Sequence, residues 1–201
     1  HQILLCKPKL FPLVSHATSR GVARHTHTPS MVLLVLYIKC ELENIGSITF
    51  PGNIQYLFDV KDAQSDEVKT GVYLCADEIA EIDGSKGDAN FVMRFPGCKK
   101  QCTVTFTDVK GLTRDTYTAE DSGTFVPIRA FDCRGLEIVN WTPTEGVVVK
   151  SGKSTTWENV DLGDDPDGWF EYCEKQGEMD LKLEKHVCII NVQLPSYIRH
   201  T

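Results

Sequence analysis

Apolar and polar residues alternate in short runs along most of this chain, the period of two that marks strands with one buried face. Over 179–190, Met179, Leu181, Leu183, Val187 and Ile189 share one parity, while Asp180, Lys182, Glu184 and His186 take the other. Runs over 54–60 and 68–74 behave alike, with polar residues 62–67 between them. The apolar, β-branched run 32–42 predicts a first strand. Residues 90–95 and 102–107 predict a hairpin, 125–133 and 136–141 predict strands on either side of an Arg134-Gly135 kink, and Val147-Val148-Val149 predicts a short strand. No helical period persists beyond two turns, and 77–82 is the best short helical candidate. The expectation is an all-β protein with few or no long helices. Two sheet-based halves, 31–110 and 124–190, are expected to pack like a β-sandwich, divided by the polar stretch 110–123 and followed by a tail, 191–201.

Charge sets the first 30 residues apart. They hold Lys7, Lys9, Arg20 and Arg24 and no Asp or Glu, whereas the remainder carries 17 basic and 28 acidic residues. Segment 1–30 also lacks a periodic apolar pattern, so it is read as a disordered extension outside the fold, with the folded protein starting at Met31. An acid-free, Arg- and Ser-containing composition also suits a targeting segment, but no amphipathic helix is evident. An acidic body disfavours nucleic acid, since phosphate attraction needs a basic surface. The apolar run 31–38 is too short for a membrane span, which needs about 20 residues. The eight cysteines are Cys6, Cys40, Cys75, Cys98, Cys102, Cys133, Cys173 and Cys188. No secretory signal fits the start of the chain, so they are read as reduced thiols in the cytoplasm.

Two motifs carry the most information. One is Gly84-Ser85-Lys86-Gly87-Asp88-Ala89-Asn90-Phe91-Val92, whose paired glycines predict backbone at positive φ or a close chain approach. The other is Phe131-Asp132-Cys133-Arg134-Gly135-Leu136-Glu137. With Trp141, Trp157 and Trp169-Phe170-Glu171-Tyr172, they resemble the signatures of the eukaryotic CXXC-motif-containing zinc-binding proteins, over roughly 31–190. That resemblance implies two Cys-x-x-Cys pairs, one before and one after the Gly-x-x-Gly loop, together holding one zinc. It also implies a protein partner linked to metal handling.

On the family's register the four zinc-ligand positions are Lys61, Gln64, Phe95 and Cys98 in this chain. A structural zinc site wants four soft ligands at tetrahedral distances. Lysine and phenylalanine supply none, so the site is expected to be degenerate and zinc absent. Phe95 is expected to turn inward, and Lys61 to pair with Asp59 or Asp66. A rearranged metal site would use Cys98 and Cys102, whose spacing suits a zinc pair, with Asp59, Asp62, Asp66 or Glu67 as carboxylates.

Other chemistry is thin. Cys133 beside Arg134 is a thiol a cation would activate, but buried structural cysteine is commoner. The Arg134–Glu137 pair is read as tying the kink, the tryptophans as packing, and His186 as solvated. The glycine loop is too short for a phosphate-binding loop, and no nucleophile elbow or dinucleotide fingerprint is present. The expectation is therefore a non-enzymatic cytosolic binding or scaffold protein. The rivals are the rearranged zinc site and a thiol-based redox protein built on Cys98 and Cys102 or on Cys133.

Overall fold

The computed structural model describes residues 31–153, 155–163, 168–173, 177–183 and 188–191. The segment 1–30 and most of the tail 191–201 lie outside the described residues, as does His186. The strands in chain order are β1 (Met31–Ile38), β2 (Cys40–Glu43), β3 (Ile45–Thr49), β4 (Gln55–Asp62), β5 (Val68–Cys75), β6 (Ala80–Glu81), β7 (Asp88–Ala89), β8 (Phe91–Met93) and β9 (Cys102–Thr107). There follow β10 (Thr116–Thr118), β11 (Val126–Arg134), β12 (Leu136–Thr142), β13 (Val147–Ser151), β14 (Thr156–Val160), β15 (Trp169–Cys173), β16 (Gly177–Leu183) and β17 (Cys188–Asn191). The described residues contain one 3-10 turn, Ala119–Asp121, and no α-helix. None of their helices is long and apolar enough to cross a membrane.

The all-β class read from the alternation is the class observed. Five sheets form, with strand orders β17-β1-β11-β9-β8, β10-β3-β13-β14, β12-β4-β5, β15-β16-β2 and β6-β7. The pairing runs across the expected boundary at 110–123. Strand β1 pairs with β11, β4 with β12, β3 with β13 and β2 with β16, so each of the four larger sheets joins strands from both stretches of chain.

Local expectations are corrected at three points. The run 32–42 divides at Lys39 into β1 and β2, which join different sheets. The alternating run 179–190 likewise divides into β16 and β17, in different sheets. The helical candidate 77–82 is a turn followed by β6. Side chains explain this last change. The Asn90 amide donates to the carbonyls of Ala76 at 2.7 Å and Glu78 at 2.9 Å, diverting those carbonyls from any helical ladder.

Strand β4 shows how the pattern becomes packing. Tyr56, Phe58, Val60 and Asp62 are buried on one face while Gln55 lies exposed on the other. Its aromatic face meets the five-stranded sheet: Phe58 packs edge-on to Phe131 with centroids 5.2 Å apart, and Phe106 to Phe131 at 5.0 Å. Such edge-to-face pairs are favoured by the ring quadrupoles. The chain switches sheets between β11 and β12 at Gly135, whose φ of +77° a side chain rarely tolerates.

Candidate functional site

Three pieces of chain meet at one corner: the end of β4, the turn between β8 and β9, and the β11–β12 kink. Asp62, the last residue of β4, lies opposite Leu136, the first of β12. Its carboxylate is nearly buried, at 2% exposure, and fully engaged. Oδ1 accepts from the Gln64 backbone N–H at 3.3 Å. Oδ2 accepts from the Ser65 hydroxyl at 2.5 Å, the Ser65 N–H at 3.1 Å and the Cys98 thiol at 3.5 Å. These donors, the Ser65 hydroxyl foremost, hold the Asp62 carboxyl below its ordinary range against the opposing effect of burial.

Each of the four positions that the resemblance implies as ligands has a definite place. Lys61 projects to the other face of β4 and forms an ion pair with Asp66, one of the two partners expected from sequence. Gln64 contributes its backbone N–H to the Asp62 turn. Phe95 turns inward, 2% exposed, and belongs to the main hydrophobic core. Cys98 sits in the following turn, closed by its N–H on the Phe95 carbonyl at 3.0 Å.

Cys102, at the start of β9, is buried against the kink, and its thiol donates to the Gly135 carbonyl at 3.3 Å. A Cβ on Gly135 would meet the Cys102 Sγ at 3.0 Å, so glycine is needed for space as well as for φ. Burial, then the Asp62 carboxylate, pushes the Cys98 thiol upward. Burial first, with Asp62 and Cys98 adding to it, pushes Cys102 up to about 11. Among the described residues no group of three or more His, Cys, Asp or Glu side chains is arranged to hold a metal ion.

The residues at the four positions that the resemblance implies as ligands do not fit zinc. One is a cation already paired with a carboxylate, one an apolar ring inside the core, and one a neutral amide. Only Cys98 can offer a thiolate.

The remaining candidates resolve into structural parts. Cys133 is fully buried, and burial pushes its thiol upward, with Asp132 and Glu137 acting in the same direction. Arg134 pairs with Asp132 at 3.3 Å rather than with Glu137, which stands opposite Lys61 across β12 and β4. Trp157 and Trp169 pack edge-on with centroids 5.5 Å apart, and Trp141 packs against Phe50 at 6.5 Å. In the glycine motif, Gly84 adopts a φ of +72°. Asn90 is the working residue there, since its Oδ1 also accepts from the Phe106 N–H at 2.8 Å.

Sequence reasoning passed over Ser65, Asn90 and Tyr117. An Asp side chain in a polar turn commonly accepts from the backbone N–H two residues on, so the Asp62–Gln64 bond was findable, whereas the Ser65 hydroxyl bond had no such signal. Tyr117 had no local signal. Its hydroxyl accepts from the Cys40 N–H at 3.2 Å, a contact with a residue 77 positions away, and donates nearby to the Asp121 carbonyl at 2.5 Å.

The profile of the eukaryotic CXXC motif containing zinc binding protein family matches residues 35–185. The chain belongs to that family. Among its relatives, a UPF0587 protein of Nematostella vectensis is 31% identical over 147 residues, 72% of this chain and 89% of that protein. A CXXC motif containing zinc binding protein of Xenopus laevis is 28% identical over 151 residues, 74% of this chain and 91% of its own. Among solved structures, a hypothetical protein from Plasmodium falciparum superimposes with a TM-score of 0.66 at 25% identity, covering 76% of this chain and 97% of that one.

Proposed function

We propose that this chain is a non-enzymatic cytosolic binding or scaffold protein whose inherited metal position has been converted into part of the fold. The observation that carries this reading is Phe95. A ring at 2% exposure occupies a position where the family resemblance implies a ligand cysteine, and it belongs to the core. The Lys61–Asp66 pair supports the same reading, because a neighbouring ammonium disfavours a dication. A partner protein remains the expected ligand, through the family's implied link to metal handling.

The second reading is a rearranged site on Cys98 and Cys102 with the Asp62 carboxylate. The 3.5 Å contact between the Cys98 thiol and Asp62 favours it. Against it, metal binding needs thiolates, and both thiols are pushed upward. The same shifts weigh against thiol redox chemistry, which needs a lowered thiol pKa.

Cobalt titration separates these readings. The degenerate site predicts no thiolate-to-cobalt charge-transfer absorption at stoichiometric metal. A saturable band that disappears in both Cys98→Ser and Cys102→Ser establishes the rearranged site instead.

A further inference from the structure

Away from that corner, a cleft of about 270 Å³ opens between the β9–β10 loop and β11, lined by Asp108, Thr113, Arg114, Asp115, Ile128 and Arg129. Arg129 forms its charged floor, with a side chain only 13% exposed. Two of its nitrogens are committed to neutral acceptors. Nε donates to the Tyr56 hydroxyl at 3.3 Å and Nη2 to the Phe50 carbonyl at 3.0 Å. In a guanidinium these two nitrogens form the side edge, so the end edge, carrying Nη1, is left for a further partner. Nη1 comes no closer than 4.0 Å to the Asp108 carboxylate, whose side chain is 86% exposed.

A guanidinium largely removed from water, held in place by two neutral groups and only loosely compensated, is a preorganised anion receptor. Its anchors lie on the rigid core: Tyr56 and Phe50 are both fully buried. Arg114 adds a second guanidinium at the rim, bound through Nη2 to Asp121 at 2.6 Å. The Asp108 and Asp115 carboxylates line the same cleft. They repel a dianion more than a monoanion, which favours a carboxylate over a phosphate. The planar fork of arginine also matches a carboxylate's two oxygens.

We propose that this cleft binds a carboxylate group on the end edge of Arg129, with the exposed Asp108 carboxylate as the weak competitor that stands near it and yields to the ligand. The carboxylate comes either from a small organic acid or from the C-terminus of a peptide. The site is separate from the Cys98 corner and does not depend on whether that corner holds metal.

The test is chemical-shift titration of the full chain with propionate, a monoanion, with acetyl-Gly-Gly, and with acetyl-Gly-Gly-amide. Saturable shifts are expected in the amides of 108–115 and 128–130 with at least one of the two acids, and none with the amide. Asp108→Ala, at an exposed position, should tighten binding by about two- to fivefold, the range of a surface carboxylate–guanidinium pair. Arg129→Lys should weaken it while the spectrum elsewhere stays folded. Shifts with propionate but not the peptide assign a small acid, and the converse assigns a peptide terminus. The proposal is overturned if neither acid gives saturable shifts in wild-type protein and in Asp108→Ala, or if the amide binds as well as the acid.

Discussion

Residues at the corner between β4, β9 and β12 carry two constraints that substitution separates. Gly97 and Gly135 both sit at positive φ, +80° and +77°. A Cβ on Gly97 meets nothing within 4 Å, whereas one on Gly135 meets the Cys102 Sγ at 3.0 Å. Gly97→Ala is expected to cost only the left-handed backbone term, about 1–2 kcal/mol. Gly135→Ala should cost more, and the excess should shrink in a Cys102→Ala background. Denaturant midpoints of the four proteins and of the double variant measure this, and equal losses for the two glycines would refute the steric part. Phe95→Ala should destabilise by about 3–5 kcal/mol, the range for emptying a buried aromatic site. A loss below about 1 kcal/mol, as for an exposed residue, would mean that Phe95 has not become core. The inward turn of Phe95 and the Lys61–Asp66 pair were legible in sequence, because an apolar ring seeks the core and an ammonium a nearby carboxylate. The role of Cys102 was not, because its thiol answers to Gly135, which lies 33 positions further along the chain.

At the scale of elements, side-chain amides and hydroxyls decide where the chain turns. Asn90 holds the 76–78 turn through two donated bonds and joins it to β9 through one accepted bond. Asn90→Asp keeps the acceptor and loses both donors, leaving two carbonyls without their amide partner. The expected loss is about 1–3 kcal/mol. Hydrogen exchange should rise in the 76–90 segment before it rises in β4 or β11, and uniform protection loss would argue against a local clamp. Strand β4 was legible because one face is buried and the other is not, so the period of two survives in the sequence. The division of 32–42 and 179–190 was not. Alternation continues smoothly through Lys39, and a strand that passes from one sheet to another keeps its period while changing its partners. The 77–82 segment failed as a helix because a residue further along the chain, Asn90, captures its carbonyls.

For the whole molecule, the pairing of β1 with β11 and of β4 with β12 means that the stretches before and after 110–123 are woven into shared sheets. Pairing between positions so far apart leaves no local trace, which is why the topology was less legible than its strands. Two hydrogen-bonded carboxylates brace the fold, Asp62 buried and Asp121 part-buried. Asp62 serves at the β4 corner. Burial alone would raise Asp121, but bonds from the Thr118 hydroxyl and N–H and from Arg114 prevail and hold it below its ordinary range. A folded value below the unfolded one stabilises above the unfolded carboxylate range, and that stabilisation fades as pH falls from about 4 through the folded value. Asp121→Asn should therefore lower stability at pH 7 and flatten its acid limb. An unchanged slope between pH 5 and pH 2 would remove Asp121 from that role.

The central claim is that the family's metal position is closed in this chain, and the zinc content of the purified native protein tests it most directly. Elemental analysis after expression in zinc-replete medium, without chelators, is predicted to find no stoichiometric zinc, and Cys98→Ala should leave that result unchanged. One equivalent of zinc per chain, lost on substituting Cys98, would contradict it.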